Sequence, residues 1–515
     1  MDRAAAALDG TSLTCAQVTD AARGRLRVEI AEPGRQRASA AAQFAAVAAG
    51  RQPVYGRTTG VGANRGLPVA AGDSAVHGLR LLRSHAGGGG PLLAAELGRA
   101  MLVVRANQIA AGGSGVAAGV LDVLADCINR GLSVPVPRYG AIGTGDLTAL
   151  AVTALCLLGE RDWLAAGELI GAAGQRGGAA ALPGGSAGGR DSQTGPPRFA
   201  LAPGDALAFL SSNAATLGEA ALACRDLDEL LHAAMAIAAL SHRAVDASAE
   251  PYAAAVQVAR PHPGQRAVAA TMRALLGGGA GPAARIQDPY AYRALPQVHG
   301  PALDAVRRAE QTVTSELNAA AENPLIDVAG QAVWHNGNFH TGYAGLALDA
   351  VRAALFQAAA LSAARLGTLV EPAFTGQRPF LAAGPQPSSG IMVLEYVSHA
   401  AIADIRQLAS PAALGSAVLS RGVEEHAGFS TQSAQATTDV AGAYRVVLAC
   451  ELVAAVRALR LRGLRLDGSA LATPFARAAA MLPADPADRP LDGDLAAAQQ
   501  LLPEMAAAAV TAAVH

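Results

Sequence analysis

The spacing of apolar residues constrains this chain more than any other feature of it. Along 303–317, Leu303, Val306, Ala309, Val313 and Leu317 recur every three or four residues, with Arg307, Glu310 and Thr314 between them. That stripe is what one face of an α-helix requires. Asn323-Pro324 follows and supplies a stop. Leu448, Leu452, Val456 and Leu459 repeat the pattern, and 205–243 and 342–366 read the same way. The two-residue alternation of strands is scarce, with 26–30 (LRVEI) one of few candidates. The expected fold is mainly α: a large body of long, roughly parallel and antiparallel central helices, with a mixed amino-terminal region.

Composition agrees and narrows the chemistry. Of 515 residues, 51% are hydrophobic and 16% charged, against about 25% charged in ordinary soluble domains. A sizeable core can be buried. Formal net charge is -1, which offers no general attraction to nucleic acid or an anionic membrane. All 40 basic residues are arginine. A Schiff base to pyridoxal phosphate, a lysine general base and a P-loop lysine are therefore excluded, and arginine, always protonated, replaces none of them. Cys15, Cys127, Cys156, Cys224 and Cys450 are scattered with no CxxC pair, so neither a disulfide framework nor a zinc knuckle is expected. The opening Met1-Asp2-Arg3 lacks the basic-then-apolar order of a secretory signal. Charges such as Asp349 and Arg352 interrupt the apolar stretches, so no membrane span is expected and the reduced cytoplasm is the expected setting.

Glycine and proline punctuate three places. Residues 171–197 read as a flexible surface loop, and 276–282 (LGGGAGP) as a second loop. The third, 135–146 (PVPRYGAIGTGD), lies between two strongly apolar stretches. Boundaries near 200 and 470 give an amino-terminal region (1–200), a central helical bundle (201–470) and a carboxy-terminal helical region (471–515).

Six fragments hold the side chains able to do chemistry. YGAIGTGDLTAL (139–150) crowds Gly140, Gly143 and Gly145 around Thr144, a tight turn that Asp146 is placed to cap; as a phosphate loop it lacks lysine and strand context. VYGRTTGVGAN (54–64) holds Tyr55, and LRLLRSHAGGGG (79–90) sets His85 before four glycines. RIQDPYAYRALPQVHG (285–300) packs Gln287, Tyr290, Arg293 and Gln297 into one span, where Arg293 can grip a carboxylate with two hydrogen bonds. HNGNFH (335–340) and SRGVEEHAGFS (420–430) complete the set. Their histidines and Glu424-Glu425 are metal-ligand types, yet no HExxH or comparable spacing occurs, and no metal is expected.

Together these fragments resemble the aromatic amino acid lyase family, which contains histidine, phenylalanine and tyrosine ammonia-lyases and related aminomutases; the motifs are most similar to those of the histidine enzymes. The resemblance runs from LDGTSLT (8–14) through RANQIAAGGSG (105–115), ENPLI (322–326), GNFH (337–340) and EEH (424–426) to DRPLDGDL (488–495). It implies elimination of ammonia from an aromatic amino acid, with an electrophile made from the backbone and no external cofactor. In the family an Ala-Ser-Gly triad cyclises and dehydrates to a methylidene-imidazolone (MIO), and that triad aligns here with Gly143-Thr144-Gly145. By the same resemblance Tyr55 is the base for the β-proton and Arg293 binds the substrate carboxylate. Tyr290 and Gln287 flank the amine and the electrophile, and Phe339 lies beside the group. His85 and Glu424 stand where histidine-specific members contact the imidazole. A homotetramer whose sites combine residues of several subunits is also implied.

Two departures stand out. Thr144 replaces serine, so that dehydration yields an ethylidene whose methyl crowds the attacked carbon, and Gly143 replaces alanine. In LAFLSSNAAT (207–216), Ser211 falls where the family has an asparagine that stabilises the group, with Asn213 two residues on. The readings are thus an ammonia-lyase acting on histidine or another aromatic amino acid, an aminomutase, or a family member without MIO that acts as a binding or scaffold protein.

Overall fold

The computed structural model describes residues 4–164, 197–202, 204–277 and 283–514. The 171–197 stretch, but for its last residue, and most of 276–282 lie outside them. The described residues are mainly helical, and their named strands pair into three two-stranded ribbons. LRVEI supplies one of these: Arg27–Ile30 pairs in parallel with Ala5–Leu8.

The 303–317 stripe lies in the helix Leu295–Leu317, with all five of its apolar residues buried. That helix stops six residues before Pro324, at Asn318. The Asn318 amide donates to the carbonyls of Thr314 and Leu13 and accepts from Leu13 N–H, a side-chain alternative to the next helical bond. The 205–243 stretch is not one helix. It breaks between Asp205–Leu210 and Ala214–Ala244, where Ser212 Oγ accepts from Ala214 N–H and Ser211 leaves helical geometry. This break delivers Asn213 to the site described below.

The chain forms two compact units interleaved along the sequence. The first comprises Met1–Arg225, Glu310–Leu346 and Ala412–Gln435. Its centre is the helix Ala95–Ala111, buried on all sides beneath the helices Cys15–Ala22, Glu32–Ala49 and Val120–Asn129. The apolar helix Leu147–Leu158 packs on Ser74–His85 and Asp205–Leu210. Arg105, fully buried, pairs with Glu322 at 2.9 Å and donates to the carbonyls of Phe209 and Ala208, tying the end of the helix Asp205–Leu210 to the segment that holds Glu322.

The second unit comprises Asp226–Ala309, Ala347–Pro411 and Ala436–His515. Its buried centre is the Arg365–Glu451 pair, with Ser241 and Ser362 donating to the same carboxylate. The helix Pro263–Leu276 packs on Asp492–Val514, as does Ala472–Met481.

Two stretches, 205–244 and 342–369, reach the length and hydropathy of a membrane span despite the charges that interrupt them. Their apolar windows are 89% and 50% buried inside the protein, and a core helix meets the same criteria. All five cysteines are buried and none forms a disulfide.

Candidate active site

The antiparallel pair Gly89–Leu92 and Pro137–Tyr139 leads into the glycine-rich loop. Gly143 (φ 87°) and Gly145 (φ 113°) are both left-handed, a conformation glycine adopts without a steric penalty. The loop is strapped on either side of Thr144. Ala141 O accepts from Gln432 Nε2 at 2.9 Å and Ile142 O from Phe429 N–H at 2.8 Å. Gly145 N–H donates to Asn213 Oδ1 at 3.0 Å, and Asp146 N–H to Ser212 O at 2.8 Å. A Cβ on Gly143 would stand 2.6 Å from Ser430 Oγ and 2.7 Å from Ser430 N, so this seat admits no alanine without movement.

Asp146 stands at the start of the helix Leu147–Leu158 but its side chain makes no cap. Its carboxylate turns inward and accepts from Thr216 N–H (2.7 Å) and Thr216 Oγ1 (2.8 Å). Burial pushes this carboxyl up to about 6.

Above the loop lies a cavity of about 770 Å3, wholly within the first unit. Of the residues singled out in the sequence, Tyr55, His85, Thr144, Gly145, Ser211, Phe339 and Glu424 line it. Tyr55 is half-buried; its hydroxyl accepts from Gly62 N–H at 2.7 Å and its own N–H donates to His335 Nε2 at 3.3 Å. Burial and the Glu424 carboxylate raise the Tyr55 pKa, while the Gly62 bond and Arg65 act against the rise. His85 ends the helix Ser74–His85, its Nδ1 lying 2.9 Å from Leu81 O and 3.1 Å from Ser84 Oγ. With Nδ1 so engaged, Nε2 is the ring nitrogen left to meet a ligand.

Ser211 and Asn213 have separate tasks. Ser211 Oγ accepts from Asn323 N–H at 2.9 Å. Asn213 bridges Gly145 N–H and Phe339 O, the latter at 2.6 Å. Gly143 sits behind the cavity wall in its Ser430 seat.

Gln287, Tyr290 and Arg293 belong to the second unit, where all three are exposed; they are not among the residues lining the cavity. The Arg293 guanidinium lies 5.0 Å from the centre of the Tyr290 ring. Their turn is pinned from inside: Tyr252 Oη donates to Tyr292 O at 2.8 Å, and Tyr292 Oη lies 2.7 Å from Thr368 Oγ1.

His335 and Arg65 also line the cavity, and sequence reasoning assigned neither a role in it. HNGNFH drew attention to His335 only as a possible metal ligand, and Arg65 lies one residue beyond VYGRTTGVGAN.

A model of the aromatic amino acid lyase family matches residues 13–480. The histidine ammonia-lyase of Sorangium cellulosum (strain So ce56) is 34% identical over 509 residues, covering 96% of each chain. The crystal structure of histidine ammonia-lyase from Trypanosoma cruzi superposes with a TM-score of 0.84 at 25% identity, over 99% of this chain and 95% of that one. Tyrosine aminomutase from Streptomyces globisporus superposes with a TM-score of 0.87 at 27% identity, over 98% of both.

Proposed function

As the chain belongs to the aromatic amino acid lyase family and is a carbon-nitrogen lyase, we propose that it eliminates ammonia from histidine or another aromatic L-amino acid, leaving the α,β-unsaturated acid. The observation that carries this reading is one cavity lined by Tyr55, Thr144, His85 and Glu424 together.

The residues present fit a backbone-derived group. Both glycines of Gly143-Thr144-Gly145 hold φ values suited to a tight turn, the Gly145 amide is fixed by Asn213, and Thr144 lines the cavity. Threonine in this position would give the ethylidene form of the family's MIO. When formed, the group would supply an electrophilic alkene, the chemistry that makes the substrate amine a better leaving group.

The remaining work falls to side chains. Tyr55, as the phenolate, takes the β-proton onto Oη and becomes the neutral phenol. A free tyrosine titrates near 10, and the Gly62 N–H held 2.7 Å from that oxygen favours the charged form. His335, accepting the Tyr55 N–H, fixes the backbone that carries the base. His85 Nε2 and the Glu424 carboxylate receive the side chain of the substrate, and an imidazolium offers each of them one N–H donor. Ser211 braces Asn323 at the cavity edge. Gln287, Tyr290 and Arg293, exposed in this chain, serve the site of a neighbouring subunit in a homotetramer, with Arg293 gripping the carboxylate. The partner is thus a small amino acid in the cytoplasm, with neither nucleic acid nor membrane and no metal or pyridoxal phosphate.

Purified protein incubated with a panel of aromatic amino acids should release ammonia and a conjugated acid, with histidine the preferred substrate. A β-amino acid among the products would make it an aminomutase, the reading to which the Streptomyces globisporus likeness lends weight. No product from any amino acid would overturn the assignment. Intact mass tests the group separately: loss of two waters is expected, and an unmodified mass would leave the binding reading standing.

A further inference from the structure

The loop that carries Glu424 contains two consecutive non-glycine residues in the left-handed region, Ser420 (φ 50°) and Arg421 (φ 58°). Such residues cost on the order of 1–3 kcal/mol each and persist where the surroundings fix them. The strained pair closes a short hairpin. Leu419 and Glu424 exchange backbone hydrogen bonds across it, Leu419 N–H to Glu424 O at 2.7 Å and the reverse at 3.4 Å. The strain therefore sets where Glu424 enters the cavity.

Ser420 does something Arg421 does not. Its Oγ accepts from Ala63 N–H at 2.9 Å, gripping the turn Gly62–Asn64. Gly62 is itself left-handed (φ 55°), and a Cβ there would lie 2.5 Å from Ser420 Oγ. The N–H of this same Gly62 points at the Tyr55 hydroxyl, 2.7 Å away. Consecutive amides of one turn are thus divided between Ser420 and Tyr55, all within the first unit.

We propose that Ser420 is a positioning residue. It registers the turn bearing the Gly62 amide against the loop bearing Glu424, so that the amide is aimed at the oxygen of the base. The proposal rests on the reading of Tyr55 as the base. Other charged or titratable groups facing Tyr55 are Glu424, Arg65, His85 and His335, all lining the same cavity, and none of them makes this link.

The test compares Ser420→Gly, Ser420→Ala and Arg421→Gly in the full-length protein. Glycine relieves the left-handed strain at either position, so both glycine variants should melt no lower than wild type. Ser420→Gly should nevertheless lose roughly ten- to a hundredfold in kcat/KM, the scale expected when a catalytic group is slightly misplaced. The acidic limb of its kcat/KM profile should move to higher pH. Ser420→Ala, which removes the oxygen alone, should lose activity comparably, whereas Arg421→Gly should keep it. All three should retain the two-water mass loss.

Wild-type activity in both Ser420 variants would overturn the proposal while leaving the lyase reading intact. A drop in Ser420→Gly activity that follows a drop in Tm would mean a structural role only. Loss of the mass change in the Ser420 variants alone would move the residue to maturation, also overturning the proposal. A wild-type protein inert towards every amino acid would remove the lyase reading and this inference with it.

Discussion

At position 144 a single methyl separates this chain from the serine its family carries. The loop around Thr144 is held by four hydrogen bonds, none of them to the threonine side chain, so Thr144→Ser should leave the strapping intact. The expected outcome is a retained two-water mass loss and a higher rate of ammonia release, since the attacked carbon is less crowded. Asp146 gives a second prediction at this scale. Its carboxyl titrates at 3.8 as a free group and is pushed up to about 6 by burial. The unfolded chain therefore gives up this proton first, and stability falls as pH rises from about 4 to 6, then levels off. Asp146→Asn should flatten that fall, worth on the order of 3 kcal/mol, in urea unfolding followed across the window. Thr144, Tyr55 and His85 were legible as motif residues. Asn213 as the partner of Gly145 was not, because spacing along a chain does not say which of two buried polar side chains reaches the Gly145 amide. Ser420 gave no signal of its own, since its Oγ meets the Ala63 amide across 357 residues of chain.

Among elements, the long helices were legible and their interruptions were not. The apolar period marks 303–317 and 448–459 because burial acts on side chains. The break at 211–213 depends on serine hydroxyls competing with the backbone, which the same period does not register. Two elements depend on single side chains for their placement. Arg105 joins the helix Ala95–Ala111 to the short helix Asp205–Leu210 and to Glu322. Arg105→Met should cost about 3–5 kcal/mol in urea unfolding, the range for a buried pair stripped of one partner, because the Glu322 carboxyl is left alone in the core. Tyr252→Phe leaves the Tyr292 carbonyl without its side-chain donor and should cost about 1–3 kcal/mol. If the turn 290–293 holds Tyr290 and Arg293 for catalysis, KM should rise in the same variant, read from initial rates.

On the scale of the whole molecule, composition foretold a large helical core but not the interleaving of two units, each assembled from three separate stretches. No local pattern encodes that, because it depends on which distant helices bury their faces together. The absence of lysine has a counterpart in the core, where Arg105, Arg352 and Arg365 are fully buried and each fork serves several acceptors at once. The cysteines complete the picture. All five are buried, and burial pushes the thiols of Cys15, Cys127, Cys156 and Cys450 up to about 12. Since the thiolate is the reactive form, a maleimide should label none of the five in native protein and all of them in urea. Counted by mass, the labels would report global opening without any engineered probe. A chain with no side-chain amine and with every thiol buried also offers few nucleophiles to a conjugated double bond, so an unsaturated acid formed in its cavity would find little there to alkylate.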